Sequence, residues 1–559
     1  MFNLDRMEHT ATRLNLLRPI PLGDLKMLLY GPWGDRNPGE TTKPRAPLSP
    51  LEEGKTSNVS EPPRGRASKT SSHPWGDRQP IFPHLLINFW MCIYHLLPDT
   101  FKYGKEIILI MIPQFLNREE ELRFLEKIHG EEGFKLVVIY GRRRVGKTEL
   151  IKKFMENKRG CYILLTNESL RENIRYFKEC FARTLGREYY EKIEVESLSD
   201  LFKYADFGGE RFVLALDEFP YLLEINRGLL STFQKVVDEN LSKTNVMLIL
   251  SGSSLSMMEN DVLGYRSPLY GRNVNVWKLQ PFHFRTIYEI FGDIRLSAEV
   301  YYVFGSIPYY LNFYDQSRSL EENIREVILT KGMNLYDEPL ILLRQEFRES
   351  RIYRLILKYI SQGYRTVGKL CSATGMDKSN ITKYLDTLRE TGFVEHVLPF
   401  GKKRGGVYEI SDPFVDFWFR FVYFNRADLE MGNVEKVLSI FRREKSTYFG
   451  YKFEKLIFHL MRTGSLSPFR KYGSFTRWWH KGEEIDIVGV AEDALLVAEC
   501  KWSDGVDANS TLEKLRKKAE RIKWSGRMEY AIFAKSFSSK SEGAICYDLK
   551  DIERELRQL

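Results

Sequence analysis

The feature that most constrains this chain is the octapeptide Gly141-Arg-Arg-Arg-Val-Gly146-Lys147-Thr148. It lies between an apolar run, Lys135–Tyr140, and a helical pattern reaching about Asn157. It fits G-x-x-x-x-G-K-[ST] in the strand–loop–helix context that gives that spacing its meaning. The glycines allow backbone conformations that turn successive N–H groups inward around phosphate oxygens. Lys147 is then expected to reach the β- and γ-phosphates and the Thr148 hydroxyl to ligate Mg²⁺, while the following helix N-terminus adds its positive dipole. Gly141, Arg142, Arg143, Arg144, Val145, Gly146, Lys147 and Thr148 are read together as the cradle of an ATP–Mg²⁺ site. An ordinary glycine loop is the bland reading, and the flanking strand and helix weigh against it.

A partner for this loop appears downstream. Phe212-Val-Leu-Ala-Leu-Asp217-Glu218 is an unbroken apolar run ending in two acids, the pattern of a buried strand. Asp217 is expected to hold Mg²⁺ and Glu218 to polarise the attacking water. Val246–Leu250 is a further strand, ending in Ser251-Gly-Ser-Ser254, and Ser251 is the chosen reporter of the γ-phosphate. With Tyr162–Thr166 as another strand, the alternation with helices predicts a mostly parallel sheet covered on both faces. Ala298–Lys331 reads as helical, interrupted at Gly305–Pro308.

At 559 residues the chain exceeds one hydrophobic core, so several domains are expected. A charged fraction of 28% beside 43% hydrophobic residues excludes a disordered chain. The net charge of +9 permits nucleic-acid binding without requiring it. Cys92, Cys161, Cys180, Cys371, Cys500 and Cys546 form no C-x-x-C pair, which reads as reduced thiols in a cytoplasmic protein. Residues 1–110 are rich in Pro, Gly, Ser and Arg, carry Pro-Trp-Gly-Asp-Arg twice and show no periodicity. They read as a wrongly extended start or a disordered tail. Patterning begins at Met111, and codons for Lys105-Glu106 could resemble a ribosome-binding sequence. Ile81–Pro98 is short and polar for a membrane span, so no stable membrane association is expected; a membrane-tethered ATPase using residues 81–97 is the competing reading.

Arg351–Gln362, Thr366–Thr374 and Lys378–Thr391 give three helices, followed by short strands Phe393–Val397 and Val407–Ile410 around Gly401-Lys-Lys-Arg-Gly-Gly406. This resembles a winged helix with Ser379–Arg389 as recognition helix and Lys402, Lys403 and Arg404 as a basic wing. Use of that module for protein contacts is the competing reading. Further on, Glu484-Ile-Asp486-Ile-Val precedes Leu495-Leu-Val-Ala-Glu499-Cys-Lys501. Strand alternation puts Glu499 and Lys501 on one face. With Glu454 on the helix Tyr451–Arg462, the set resembles the PD-(D/E)xK nuclease core: Glu454, Asp486 and Glu499 would hold a metal and Lys501 would orient water. The helix Leu512–Ile522 adds Lys514, Lys517 and Lys518.

Further strings carry a family resemblance. Phe115–Glu121, Tyr140–Thr148, Leu216–Pro220, Ser267–Arg272, Leu279–Phe282 and Gly305–Leu311 make residues 113–345 similar to the archaeal ATPase family, a branch of the STAND class related to AAA+ proteins. Ser306 stands where that family often has glycine. The resemblance makes Arg272 the candidate γ-phosphate sensor or arginine finger; a salt bridge at the domain edge is its plain alternative. Residues 413–559 resemble the uncharacterised domain that accompanies many such ATPases. The expected order is therefore 1–110 extension, 111–345 P-loop ATPase domain with a helical lid, 346–412 winged helix and 413–559 nuclease-like α/β domain. The expected function is Mg²⁺-dependent ATP hydrolysis coupled to a DNA-binding or DNA-cleaving region, in a cytoplasmic protein. The alternative is a regulatory ATPase switch whose nuclease-like domain is inactive. A homo-oligomer is left open.

Overall fold

The structure, a computed structural model, describes residues 115–558. The expectations for residues 1–110, Ile81–Pro98, Cys92 and the start at Met111 lie outside the described residues. Helix α1 (Glu119–His129) opens with three glutamates and closes with Lys127 and His129, complementing its dipole at both ends. Strand β1 (Lys135–Tyr140) leads through the glycine loop into α2 (Lys147–Met155). Then come β2 (Gly160–Leu164), α3 (Leu170–Leu185), β3 (Phe212–Asp217), β4 (Val246–Gly252) and β5 (Val274–Lys278). The sheet runs β2-β3-β4-β1-β5, and every pairing in it is parallel.

Alternation along the central strands supplies two cores. Leu214, Leu216, Leu248 and Leu250 face a layer containing Phe177 and Phe181 of α3. Val213, Ala215, Met247 and Ile249 face Leu125 and Ile128 of α1 and Leu150, Ile151 and Phe154 of α2. Both faces are covered, which is why β3 and β4 are continuous apolar runs. Strand β5 went unread in the sequence: Val274-Asn-Val-Trp-Lys278 is a half-exposed edge strand with an interrupted apolar pattern.

The next unit has helices α4 (Ser350–Ser361), α5 (Val367–Thr374) and α6 (Lys378–Glu390), then a hairpin of β6 (Val394–Val397) and β7 (Val407–Ile410). Thr366 and Asp377 cap α5 and α6 through their side chains. The chain continues into α7 (Val434–Arg462), β8 (Ser474–His480), β9 (Glu483–Val490), β10 (Ala494–Lys501) and β11 (Val506–Asp507). Helix α8 (Ala508–Ala519), β12 (Arg527–Ala534), β13 (Phe537–Ser539), β14 (Ile545–Tyr547) and α9 (Leu549–Gln558) complete it. The main C-terminal sheet runs β14-β12-β10-β9-β8: β9 pairs antiparallel with β8 and β10, and β12 pairs parallel with β10 and β14. The expected α/β architecture, with a trihelical unit and hairpin between two sheets, is the one observed.

One apolar core runs from Phe284 and Ile287 through Ile356, Leu385 and Trp418 to Ala498, Phe533 and Leu556. Trp418 anchors it by donating from Nε1 to the Tyr336 carbonyl at 2.7 Å. The expectation that all thiols are reduced needs correction. Cys161 on β2 and Cys180 on α3 lie 6.0 Å apart between Cα atoms and are bonded as a disulfide, a separation within the usual range. Cys371, Cys500 and Cys546 are free. Among the described residues, no helix is long and apolar enough to cross a membrane.

Candidate functional site

The glycine loop is fixed by close backbone approach. A Cβ on Gly141 would fall 2.3 Å from the Leu279 carbonyl oxygen, so no larger residue fits without moving backbone. Gly146 adopts φ 93°, in the left-handed region where other side chains are strained. Lys147 Nζ donates to the carbonyls of Gly141 and Arg142, at 3.0 Å each, so the ammonium sits inside the loop. Burial pulls its pKa down to about 8, with Glu218 and Asp217 opposing. Arg118 clasps the loop from outside, donating to the Val145 carbonyl at 3.0 Å and the Gln280 carbonyl at 2.9 Å. The loop arginines reach neighbouring elements: Arg142 to Asp412 at 3.2 Å, Arg143 to Glu346 at 3.8 Å and Arg144 to Glu338 at 3.0 Å.

Parallel pairing of β1, β3 and β4 brings the acidic strand end beside this loop. The Thr148 hydroxyl donates to Asp217 Oδ2 at 2.6 Å, and the Tyr162 hydroxyl donates to the same oxygen at 2.8 Å. A hydroxyl and a buried carboxylate in contact are the donor set a Mg²⁺ ion on nucleotide phosphates requires. Glu218 sits at φ 55°, and its Oε2 accepts from the Ser253 hydroxyl at 2.8 Å. Ser251, on β4 two residues before Ser253, is fully buried, and its hydroxyl oxygen has no hydrogen-bond partner. Arg272 forms a bidentate pair with Asp238, 2.8 Å for each bond, and also donates to the Pro268 carbonyl. It is not joined to the loop or to Asp217.

Around the second unit, Lys378, Lys383 and Arg389 of α6 and Lys402, Lys403 and Arg404 of the wing tip are exposed. The root of that wing is docked. The Phe400 amide donates to the Arg477 carbonyl at 2.7 Å, and the Thr476 hydroxyl donates to the Leu398 carbonyl at 2.5 Å. Glu409 on β7 is buried among Arg477 (3.0 Å), Lys455 (3.1 Å) and Arg365 (3.2 Å).

The C-terminal acids gather where α7 crosses β9 and β10. Burial, then the nearby Asp486 charge, holds the Glu454 carboxyl well above its ordinary range. Burial and then Glu499 do the same to Asp486, whose Oδ2 accepts from the Cys500 amide at 2.8 Å. Glu499 is itself occupied: Lys501 donates to it at 2.5 Å and Lys518 of α8 at 2.9 Å. Among the described residues, no three His, Cys, Asp or Glu side chains form a metal-holding group. The acids are neighbours, then, but not a ready ligand set.

Three family models match the chain. An ATPase domain predominantly from Archaea covers residues 115–313, the bacterial regulatory protein arsR family covers 353–396, and archaeal and bacterial proteins of unknown function cover 418–521. An uncharacterized protein of Methanocaldococcus jannaschii is 34% identical over 459 residues, covering 78% of this chain and 99% of that protein. The chain belongs to this archaeal family. An uncharacterized ATP-binding protein of the same organism is 60% identical over 48 residues, 9% of this chain and 81% of that one. Among solved structures, the Walker-type ATPase of Pyrococcus abyssi is 22% identical with a TM-score of 0.39, covering 54% of this chain and 95% of that one.

In this archaeal family member, the matched ATPase segment carries Gly141–Thr148, Asp217, Glu218, Ser251 and Arg272. The matched segment of unknown function carries Glu454, Asp486, Glu499, Lys501 and Lys518. Several site residues escaped the sequence reading. Ser253 had a signal, since it lies in the same Ser251–Ser254 string, but only folding shows which serine meets Glu218. Tyr162 had one too, as the strand residue that parallel pairing sets opposite Ala215, close to the β3 end. Glu346 and Glu409 had none, because each acts through a partner distant in sequence; Lys518 reads as part of a basic helix, and only the fold shows that it meets Glu499.

Proposed function

We propose that the ATPase domain hydrolyses ATP in a Mg²⁺-dependent reaction and that the trihelical unit engages DNA. The carrying observation is the 2.6 Å contact of Thr148 with Asp217 beside the Lys147-filled loop. Thr148 and Asp217 would hold Mg²⁺, which neutralises charge on the phosphates when bound. The loop amides and Lys147 bind the β- and γ-phosphates. Glu218, held by Ser253, polarises a water that attacks the γ-phosphorus, and the bond to the β–γ bridging oxygen breaks to give ADP and phosphate. Ser251 and Arg272 keep their proposed roles as γ-phosphate reporter and arginine finger; Arg272 must leave Asp238 to act. Lys147→Ala is expected to lose tight ATP binding, whereas Glu218→Gln should bind ATP and turn it over at least about a hundredfold more slowly. Wild-type hydrolysis in both variants would overturn the site.

The same reading divides the chain into 111–345, 346–412 and 413–559. DNA as partner is supported by the exposed cations of α6 and the wing tip and by the likeness of residues 353–396 to a regulatory-protein family. The C-terminal acids support a second reading, phosphodiester cleavage at Glu454, Asp486, Glu499 and Lys501, because crowded buried carboxylates are costly and concentrate at functional sites. Glu499 is engaged by two lysines, and no cleavage step is assigned. Metal-dependent nicking of DNA by wild type and not by Asp486→Ala would establish cleavage. Salt-sensitive DNA binding without nicking would leave a regulatory switch.

A further inference from the structure

The nucleotide loop contacts a carboxylate with no evident catalytic duty. Glu346 ends the helix Glu338–Glu346, which leads directly into α4. Its side chain is 9% exposed and approaches Arg143 Nε at 3.8 Å, an ionic contact too long for a hydrogen bond. Arg143 Nε and Arg142 Nη2 are buried and have no hydrogen-bond partner. Between them lies a cavity of about 10 Å³, lined by Arg142, Arg143, Ser253, Leu342, Glu346 and Phe393. That is room for about one water. Ser253 places this cavity beside Glu218, on the side of the loop where the terminal phosphate and the attacking water belong.

Glu346 therefore brings a negative charge, from the end of the helix Glu338–Glu346, to the cations that a third phosphate would use. Burial raises its pKa, while Arg143, Arg142 and Lys147 draw it back and the like charge of Glu218 adds to the rise. On this placement a diphosphate would stop short of this corner. A γ-phosphate brings added negative charge into a space too small to hold it, against a carboxylate already there.

Resting on the ATP-site reading, we propose that Glu346 is the residue by which this protein distinguishes ATP from ADP. Its carboxylate stands in for the γ-phosphate at Arg143 and must withdraw when ATP binds. The withdrawal has a defined outlet. Phe347, the next residue, stacks on Tyr353 of α4 with centroids 3.9 Å apart and packs on Phe393 at 5.5 Å. Arg142 spans the same junction, lying over Phe393 at 4.9 Å and pairing with Asp412. Displacing Glu346 thus shifts the first helix of the trihelical unit and the strand entering its wing.

The test is calorimetric titration of the full chain with Mg²⁺–ATP and Mg²⁺–ADP, for wild type, Glu346→Gln and Glu346→Ala, each with a thermal melt. Removing one opposing charge is expected to tighten ATP binding by about tenfold in both variants, with ADP binding changed less than twofold. Equal shifts for both nucleotides, or no shift in the better-folded variant, would overturn the proposal. So would a wild type that binds neither nucleotide; that result alone would also remove the ATP-site reading, whereas the others leave it standing.

Discussion

Glu409 offers the sharpest quantitative prediction. Its side chain is 1% exposed and meets Arg477 of β8, Lys455 of α7 and Arg365 at 3.0–3.2 Å. Burial would raise its pKa, but Lys455, Arg477 and Arg365 outweigh it and hold the carboxyl well below the usual range. At an effective dielectric near 20, each contact at about 3 Å is worth roughly 5 kcal/mol of gross attraction. Desolvation of the ions consumes most of that, and pairs of this kind are near neutral overall. Removing one partner is different, because the remaining charges stay buried without compensation, at about 3–5 kcal/mol. Glu409→Gln belongs at the low end. Lys455 keeps Glu395 at 3.0 Å, and Arg365 remains a third exposed and lies over the Tyr451 ring at 4.7 Å.

The expectation is therefore a loss of about 3 kcal/mol in urea-induced unfolding followed by circular dichroism. The loss should be local in origin. Glu409 lies on the hairpin whose root is bonded to Arg477 and Thr476, so limited proteolysis should open Gly401–Gly405 in the variant before the rest of the chain. The control is Glu210→Gln, whose carboxylate is 85% exposed and 3.8 Å from Arg159; it should change stability by less than about 0.5 kcal/mol. A Glu409→Gln variant within about 0.5 kcal/mol of wild type would refute the premise that this cluster holds the wing to the C-terminal sheet.

Two further outcomes follow from the buried titratable groups. Burial, with His283 and Arg462 adding, lowers the His459 pKa to about 4. The unfolded chain then binds the proton first, so stability should fall as pH drops from about 6.5 towards 4, by at most roughly 3 kcal/mol, and His459→Leu should flatten that limb of the melting curve. Asp486 shifts the other way. Its raised pKa means the ionised form is strained, so Asp486→Asn should raise the melting temperature at pH 8, by about 1 kcal/mol of stability, and lose that gain near pH 5. Destabilisation at both pH values would show that Asp486 is a structural carboxylate.

The parts of this molecule that could be read from sequence are those whose cause is local. Gly141, Gly146, Lys147 and Thr148 are required by a loop only eight residues long, and the apolar runs of β3 and β4 record burial on both faces residue by residue. Where tertiary context overrules local pattern, legibility fails. The sequence pattern gives a helix only over Tyr451–Arg462, yet α7 begins at Val434 and runs through Gly450. Its packing is the reason: Phe441, Tyr448, Phe449 and Phe453 are buried along the core, and that burial outweighs roughly 1 kcal/mol of glycine propensity.

The ionic groups set a harder limit. Nothing local separates Glu409, buried among three cations, from Glu210, which faces water. What separates them is that β7, α7 and β8 converge, and the sequence records that convergence only as apolar pattern, never as charge. The same holds at the nucleotide loop. The motif specifies how phosphates are held, but Glu346 lies just over two hundred residues from Arg143 and ends a short helix whose apolar residues form one consecutive run. The chemistry of a P-loop is thus compatible with many thresholds for the third phosphate. On the proposal made above, a carboxylate at the end of the helix Glu338–Glu346 sets that threshold in the folded state, so the ATP-to-ADP affinity ratio must respond to Glu346 without any change in the loop itself.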